Sequence, residues 1–203
     1  KYIKDMRPNI ENLTTLSITH IDEDKRALRE SIRESLERLV SQTLVSKNGD
    51  EYEFLTDEEQ DIERKIRNTE VERQNVIEYA GNIIFDDIYK DKKYKYNDYN
   101  NYPFNSQIDD FLKGSQGHEL TFKIVSPWND NYSSGKFNVI MNSADSLLLK
   151  LPEDDEFLEE IKKMLRIGQF IRTGASLKSS ETVQKIINGK RTEIHKIKDR
   201  IKF

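Results

Sequence analysis

The residues best suited to grip a polyanion are Arg29, Arg33 and Arg38, with Lys47 a little further on. Spacings of four and five place the three arginines on successive turns of a helix. Mobile cations neutralise phosphates and the major groove of duplex DNA admits a helix, so the chemistry on offer is contact rather than catalysis. Glu30, Glu34 and Glu37 share the stretch and repel the same phosphates. Glu34 stands four residues before Arg38, where an intrahelical pair absorbs the arginine. The four cations are therefore candidate contacts to DNA or to a partner, and the mixed signs favour a protein.

Groups that could do covalent chemistry are harder to find. Gly189-Lys190-Arg191-Thr192 is the nearest approach to a phosphate loop, but Arg191 separates Lys190 from Thr192. Gln184 stands where the first glycine belongs, and a helix precedes it instead of a strand. His20, His118 and His195 are far apart in the chain and read as surface residues rather than metal ligands. Asp57-Glu58-Glu59, Asp86-Asp87 and Glu153-Asp154-Asp155-Glu156 read as helix starts or solvent faces, where carboxylates complement the helix dipole. There is no nucleophile elbow and no glycine-rich dinucleotide turn. No catalytic residue, metal ligand or cofactor site is assigned.

The arginines need a helix, and residues 24–41 supply one. Leu28, Ile32, Leu36, Leu39 and Val40 recur at helical spacing, and Asp22 is a fair N-cap. A hairpin over 44–55 follows at once. Asn48-Gly49 suits a two-residue type I′ turn, and Tyr52 and Phe54 alternate with Glu51 and Glu53. Helix then aromatic hairpin is the order of a recognition helix and wing. Ile10, Leu13, Leu16 and Ile18 supply the preceding apolar elements, with a short helix near Ile10 to Leu16. Residues 1–56 thus read as a winged-helix-like unit.

Thr56 stands three residues before Glu59, the capping-box spacing, and an apolar stripe from Ile62 to Ile88 predicts a long connecting helix over 57–89. Its middle, at Thr69 and Arg73, is polar, and Gly81 favours a bend. Residues 90–203 read as an α+β unit. The run Lys90 to Pro103 interleaves lysine with Tyr94, Tyr96, Tyr99 and Tyr102 and has the composition of a nucleic-acid surface. Alternating tyrosines are equally what a strand shows against a core, and Asp91 and Asp98 dilute the charge, so the packed strand is the reading adopted. Leu120 to Ile124, Phe137 to Met141 and Leu147 to Leu151 predict a small, mainly antiparallel sheet, with a turn-rich, mobile segment between Asn129 and Gly135. C-terminal helices follow, one capped by Asp154 and stopped at Gly174, the next capped by Ser179 or Ser180.

The chain has 203 residues, 35% hydrophobic and 34% charged, with a formal net charge of −4. Scarce apolar residues favour long amphipathic helices over a deep sheet, and a negative chain has no general field for nucleic acid. With no cysteine, disulfides and thiol catalysis are out, and a cytoplasmic setting is expected. No run approaches the roughly 20 apolar residues that span a bilayer. The chain opens on Lys1 and closes inside a basic amphipathic run, so it reads as part of a longer polypeptide.

Arg7-Pro8-Asn9-Ile10, Leu28 to Leu39, and the run from Asn48 through Thr56 to Ile62 together resemble an internal region of the large P-loop ATPase of BREX phage-resistance systems, the BrxC family. Phe104-Asn105 with Asp109, and Leu149-Lys150-Leu151-Pro152, also look like that family. The resemblance implies a bacterial ATPase that works with a DNA methyltransferase and other defence proteins against phage DNA. Its Walker A loop has no counterpart here, so ATPase chemistry is carried to no residue. The segment is expected to be a non-catalytic accessory region that positions the ATPase on a protein partner or on DNA. The alternatives are duplex binding through helix 24–41 and hairpin 44–55, or an oligomerisation module. The expected partners are the remainder of the ATPase and other defence proteins or, in the alternative reading, duplex DNA, with no membrane.

Overall fold

The computed structural model describes residues 6–97, 99–133, 143, 146–173 and 181–202. The expected strand at Phe137 to Met141, the stop at Gly174 and the caps at Ser179 or Ser180 lie outside the described residues. The chain divides into two compact units, 1–69 with 170–193 and 70–169 with 194–203. The architecture is α+β.

In the first unit, α1 (Ile10–Ser17) is capped by Asn9, whose side chain accepts from the Asn12 amide. α2 (Lys25–Ser41) is capped by Asp24 rather than Asp22, the Asp24 carboxylate accepting from the Arg26 and Ala27 amides. Its end folds back through Thr43 at φ 62°, with Thr43 N–H donating to Val40 and Leu44 N–H to Leu39. That is a Schellman stop with a β-branched residue where glycine is usual. β1 (Val45–Asn48) and β2 (Glu51–Phe54) pair antiparallel, Asn48 opposite Glu51. The turn is therefore Gly49-Asp50, one residue later than expected, with positive φ at Gly49 alone. This is a type II′ pattern rather than I′, because glycine takes the first central position. α3 (Asp57–Arg67) carries the full capping box between Thr56 and Glu59, and its Ile62 and Ile66 are buried with Val45, Tyr52 and Ile187.

The expected single helix over 57–89 does not form. α3 stops at Asn68, α4 (Arg73–Asn82) starts afresh, and a π-helical segment (Ile83–Ile88) ends it. Residues 68–72 carry no apolar stripe that packing could hold in helical register. Gly81 has a packing reason: a Cβ there would lie 2.8 Å from Ile108 Cγ2 and from Phe111 Cδ1.

The second unit's sheet is mixed rather than mainly antiparallel. β3 (Lys93–Lys95) and β5 (Phe111–Lys113) pair antiparallel with β4 (Asn101–Ile108), whereas β6 (Leu120–Val125) runs parallel to β4 and β7 (Ser146–Lys150) parallel to β6. Residues 114–119 carry the chain from β5 across to the other edge of β4, which makes the β4–β6 pair parallel. The aromatic rings of Phe85, Tyr89, Phe104 and Phe122 cluster with centroids 5.3–6.0 Å apart, edge to face except for the tilted Tyr89–Phe104 pair. Val76, Ile77 and Ala80 of α4 are buried in the same unit, as are Leu158, Ile161, Met164 and Ile167 of α5 (Glu156–Thr173). α6 (Glu181–Arg200) closes the chain.

Candidate functional site

α2 and the β1–β2 hairpin present the four cations singled out in the sequence, and the structure gives them local partners. Arg29 pairs with Glu11 of α1 at 2.6 Å, and Arg33 with Glu30 at 3.4 Å. Arg38 donates to Ser35 Oγ at 3.3 Å. The expected Glu34–Arg38 pair is absent; Glu34, Glu37, Arg38 and Ser41 instead line a shallow open depression with two carboxylates to one guanidinium, the wrong balance for phosphate. Lys47 is exposed on β1 opposite Tyr52. Arg67, which the sequence reading passed over, donates from its two Nη atoms to the carbonyls of Ser41 at 2.7 Å and Val40 at 3.0 Å, closing the negative end of α2.

The apolar side of α2 is only half covered. Leu28, Ile32, Leu36, Leu39 and Val40 are all partly exposed, and no residue of the helix is fully buried. Nearby in sequence, Leu16 is 64% and Phe54 72% exposed, with Ile18 and Ile21 also in solvent.

Gly189 to Thr192 lies inside α6 with no loop to wrap a phosphate. Lys190 is 11% exposed and held between Glu63 of α3 and Glu193, the latter at 2.8 Å. Burial pushes the Lys190 ammonium down, but Glu63 and Glu193 outweigh it and leave its pKa raised. The three histidines are exposed, and among the described residues no group of histidine and carboxylate side chains is arranged to hold a metal ion.

Of the acidic runs, Asp57 to Glu59 occupies the first turn of α3 as expected, and Asp154 accepts from the Glu156 amide at the start of α5. Asp86, in the first turn of the π-helical segment, and Asp87 both lie on a solvent face. Asp86 pairs with Lys113 at 2.7 Å, and Asp87 accepts from Lys202 at 2.8 Å, which holds the Asp87 carboxyl below its usual range.

Sequence reasoning gave Asp109 no physical role, yet its carboxylate accepts three hydrogen bonds within the second unit. It sits in the turn between β4 and β5 at φ 48°, almost fully buried. Its oxygens accept from Ser126 N–H at 2.8 Å, Ser126 Oγ at 2.6 Å and Asn129 Nδ2 at 3.1 Å. Asn129 and the buried Tyr132, whose hydroxyl donates to the Leu151 carbonyl at 2.6 Å, anchor a segment that was expected to be mobile. Every polar atom here faces another protein group, so the cluster builds the ends of β4 and β6 and offers nothing to a substrate. An aspartate pair between Ile108 and Phe111 at hairpin spacing was the available signal.

The Lys90 to Pro103 run also differs from its expected packing. β3 pairs only with β4 and forms the edge of the sheet, and Tyr94, Tyr96, Tyr99 and Tyr102 all stand in solvent. Only Tyr89, just before the run, joins the aromatic core.

Residues 69–203 match the family model described as the BREX ATP-binding protein BrxC 4th domain with six-stranded beta sheet. This chain belongs to the BrxC family. No solved structure matches it. The BrxC match begins within one residue of the boundary between the two units at Thr69, and the described residues supply five strands to its sheet. The matched BrxC range contains the tyrosine hairpin, the Asp109 cluster and both C-terminal helices, and it leaves α2 and the β1–β2 hairpin outside. Among the described residues no helix of this BrxC region is long and apolar enough to cross a membrane.

Proposed function

We propose that this BrxC segment is a non-catalytic accessory region in anti-phage defence, whose winged-helix-like N-terminal unit docks a protein and so positions the ATP-binding machinery in the cytoplasm. The observation that carries this reading is α2, which has an apolar stripe at helical spacing and no fully buried residue. With Leu16 and Phe54 in solvent, that unit offers apolar surface, and soluble chains tend to cover such surface with a partner. Arg29 and Arg33, the cations that would favour DNA, are paired to Glu11 and Glu30. The partners in this reading are the remainder of the parent ATPase and other defence proteins, and the segment itself takes no cofactor.

The test pairs two measurements on the purified chain. Co-elution with the rest of the parent protein should be lost on Leu16→Glu or Phe54→Glu, both at exposed positions. Titration with a short duplex at about 50 and 200 mM salt should show no binding at either. Salt-dependent duplex binding that Arg33→Glu and Lys47→Glu both abolish would replace protein docking with the DNA-binding alternative, and ATP hydrolysis by the chain above a mutant control would end the non-catalytic reading.

A further inference from the structure

The β3–β4 hairpin brings aromatic rings and cations together where folding does not require them. Residues 90–103 hold Lys90, Lys92, Lys93 and Lys95 against Asp91 and Asp98, a positive stretch in a negative chain. Tyr94 and Tyr102 are direct cross-strand partners, so their side chains share one face of the ribbon. Tyr96 is two residues along and shares that face. Its ring meets Tyr102 at 6.4 Å between centroids and 71° between planes.

Tyr99 stands at the tip, 92% exposed, and the other three are at least half exposed. The tip is preset: Asn97 Oδ1 accepts from the amides of Tyr99 at 3.0 Å and Asn100 at 2.8 Å. Lys92 is committed to Asp86 at 3.9 Å, whereas Lys93 and Lys95 alternate with the tyrosines along the exposed edge strand, so their stems leave the opposite face of the ribbon and bring their ammonium groups to the ligand round its open edge.

Four solvated aromatic rings on a positive ribbon match one kind of ligand. Stacking needs bases whose faces are open, which a duplex hides, and lysines flanking the rings supply the charge complement to a phosphate chain. A β-strand from another protein is a poorer occupant, because β3 is a three-residue edge carrying two lysines, the device that discourages strand addition. We propose that the β3–β4 hairpin binds single-stranded nucleic acid, with bases stacked on Tyr94, Tyr96, Tyr99 and Tyr102 and phosphates against Lys93 and Lys95. The site lies in the other unit from α2 and is independent of the docking reading given above.

The experiment is fluorescence anisotropy of a labelled thymidine oligonucleotide, its uridine counterpart and a duplex of equal length, titrated with the full chain at low salt. Binding of either single strand in preference to the duplex is expected, and comparison of the two strands distinguishes DNA from RNA as the source. Tyr99→Ala, at a position with no packing to lose, should weaken binding roughly 5- to 150-fold, and Tyr99→Phe should retain it. Lys93→Gln with Lys95→Gln should flatten the logarithmic salt dependence by about 1.4, the share of two phosphate contacts on a single strand. No binding at low salt, equal binding of duplex, or indifference to Tyr99→Ala and Tyr96→Ala together would each overturn the proposal. So would self-association that the same alanines abolish with no oligonucleotide bound, which would assign the face to a second copy of the chain.

Discussion

Replacing Asp109 by alanine should unfold the second unit more readily than any surface change. The carboxylate is the acceptor for Ser126 N–H at 2.8 Å and Ser126 Oγ at 2.6 Å, and Ser126 is completely buried. Leaving a buried donor without its partner costs about 1–3 kcal/mol, so these two contribute roughly 4 kcal/mol. Asp109 also sits at φ 48°, where alanine loses about 1 kcal/mol relative to glycine or asparagine. The expected loss of about 5 kcal/mol is comparable with the whole stability of many domains.

Asparagine keeps an acceptor oxygen and tolerates the backbone, so Asp109→Asn should cost only about 1–2 kcal/mol, and glycine should fall just below alanine. The only tryptophan, Trp128, donates its amide to Ser126 Oγ at 3.2 Å, and its fluorescence in a urea titration reports this unit directly. With an m-value of about 2 kcal/mol/M, the alanine midpoint should move down by about 2.5 M. A shift worth less than about 1 kcal/mol for alanine, or an asparagine variant as damaged as the alanine one, would refute the account of the carboxylate as the clamp between β4 and β6.

Two further outcomes follow from packing. Lys190→Met should cost about 3 kcal/mol, because it leaves Glu63 and Glu193 facing each other with little solvent. Since the native ammonium pKa is raised, the wild-type advantage should be complete below about pH 10.4 and shrink as the pH climbs through the native value, as melting of both proteins at neutral and alkaline pH will show. Gly81→Ala should destabilise by about 1–3 kcal/mol, read from the same urea titration, because the new Cβ meets Ile108 and Phe111 at 2.8 Å. An alanine variant as stable as wild type would mean that α4 does not approach the β4–β5 hairpin so closely.

The elements that short-range chemistry specifies were readable from the chain. α2 and the β1–β2 hairpin announced themselves by period and turn residues, and the Thr56–Glu59 capping box is present as spaced. The turn itself slid by one residue because Gly49 accepts the first central position as well as the second. Asn68 to Glu72 were read through rather than as a break, since a stripe on both sides looks continuous when no partner surface is in view.

What escaped the sequence depends on partners distant along the chain. The six-residue connection 114–119 looks like a hairpin link, and only the pairing of Phe104 with Leu120 shows that it crosses to the other edge of β4 and makes the strands parallel. Lys190 finds Glu63 across more than a hundred residues, and Asp109 finds Ser126 across 17. Neither partner is marked by local spacing. The tyrosine run is the instructive case: period-two alternation is identical for a strand on a core and a strand with both faces in water, so Tyr94 and Tyr102 could be placed only once β3 proved to be an edge. The composition that first pointed to nucleic acid thereby regains its force, because the alternative use for those rings, burial, is taken by Phe85, Tyr89, Phe104 and Phe122 instead.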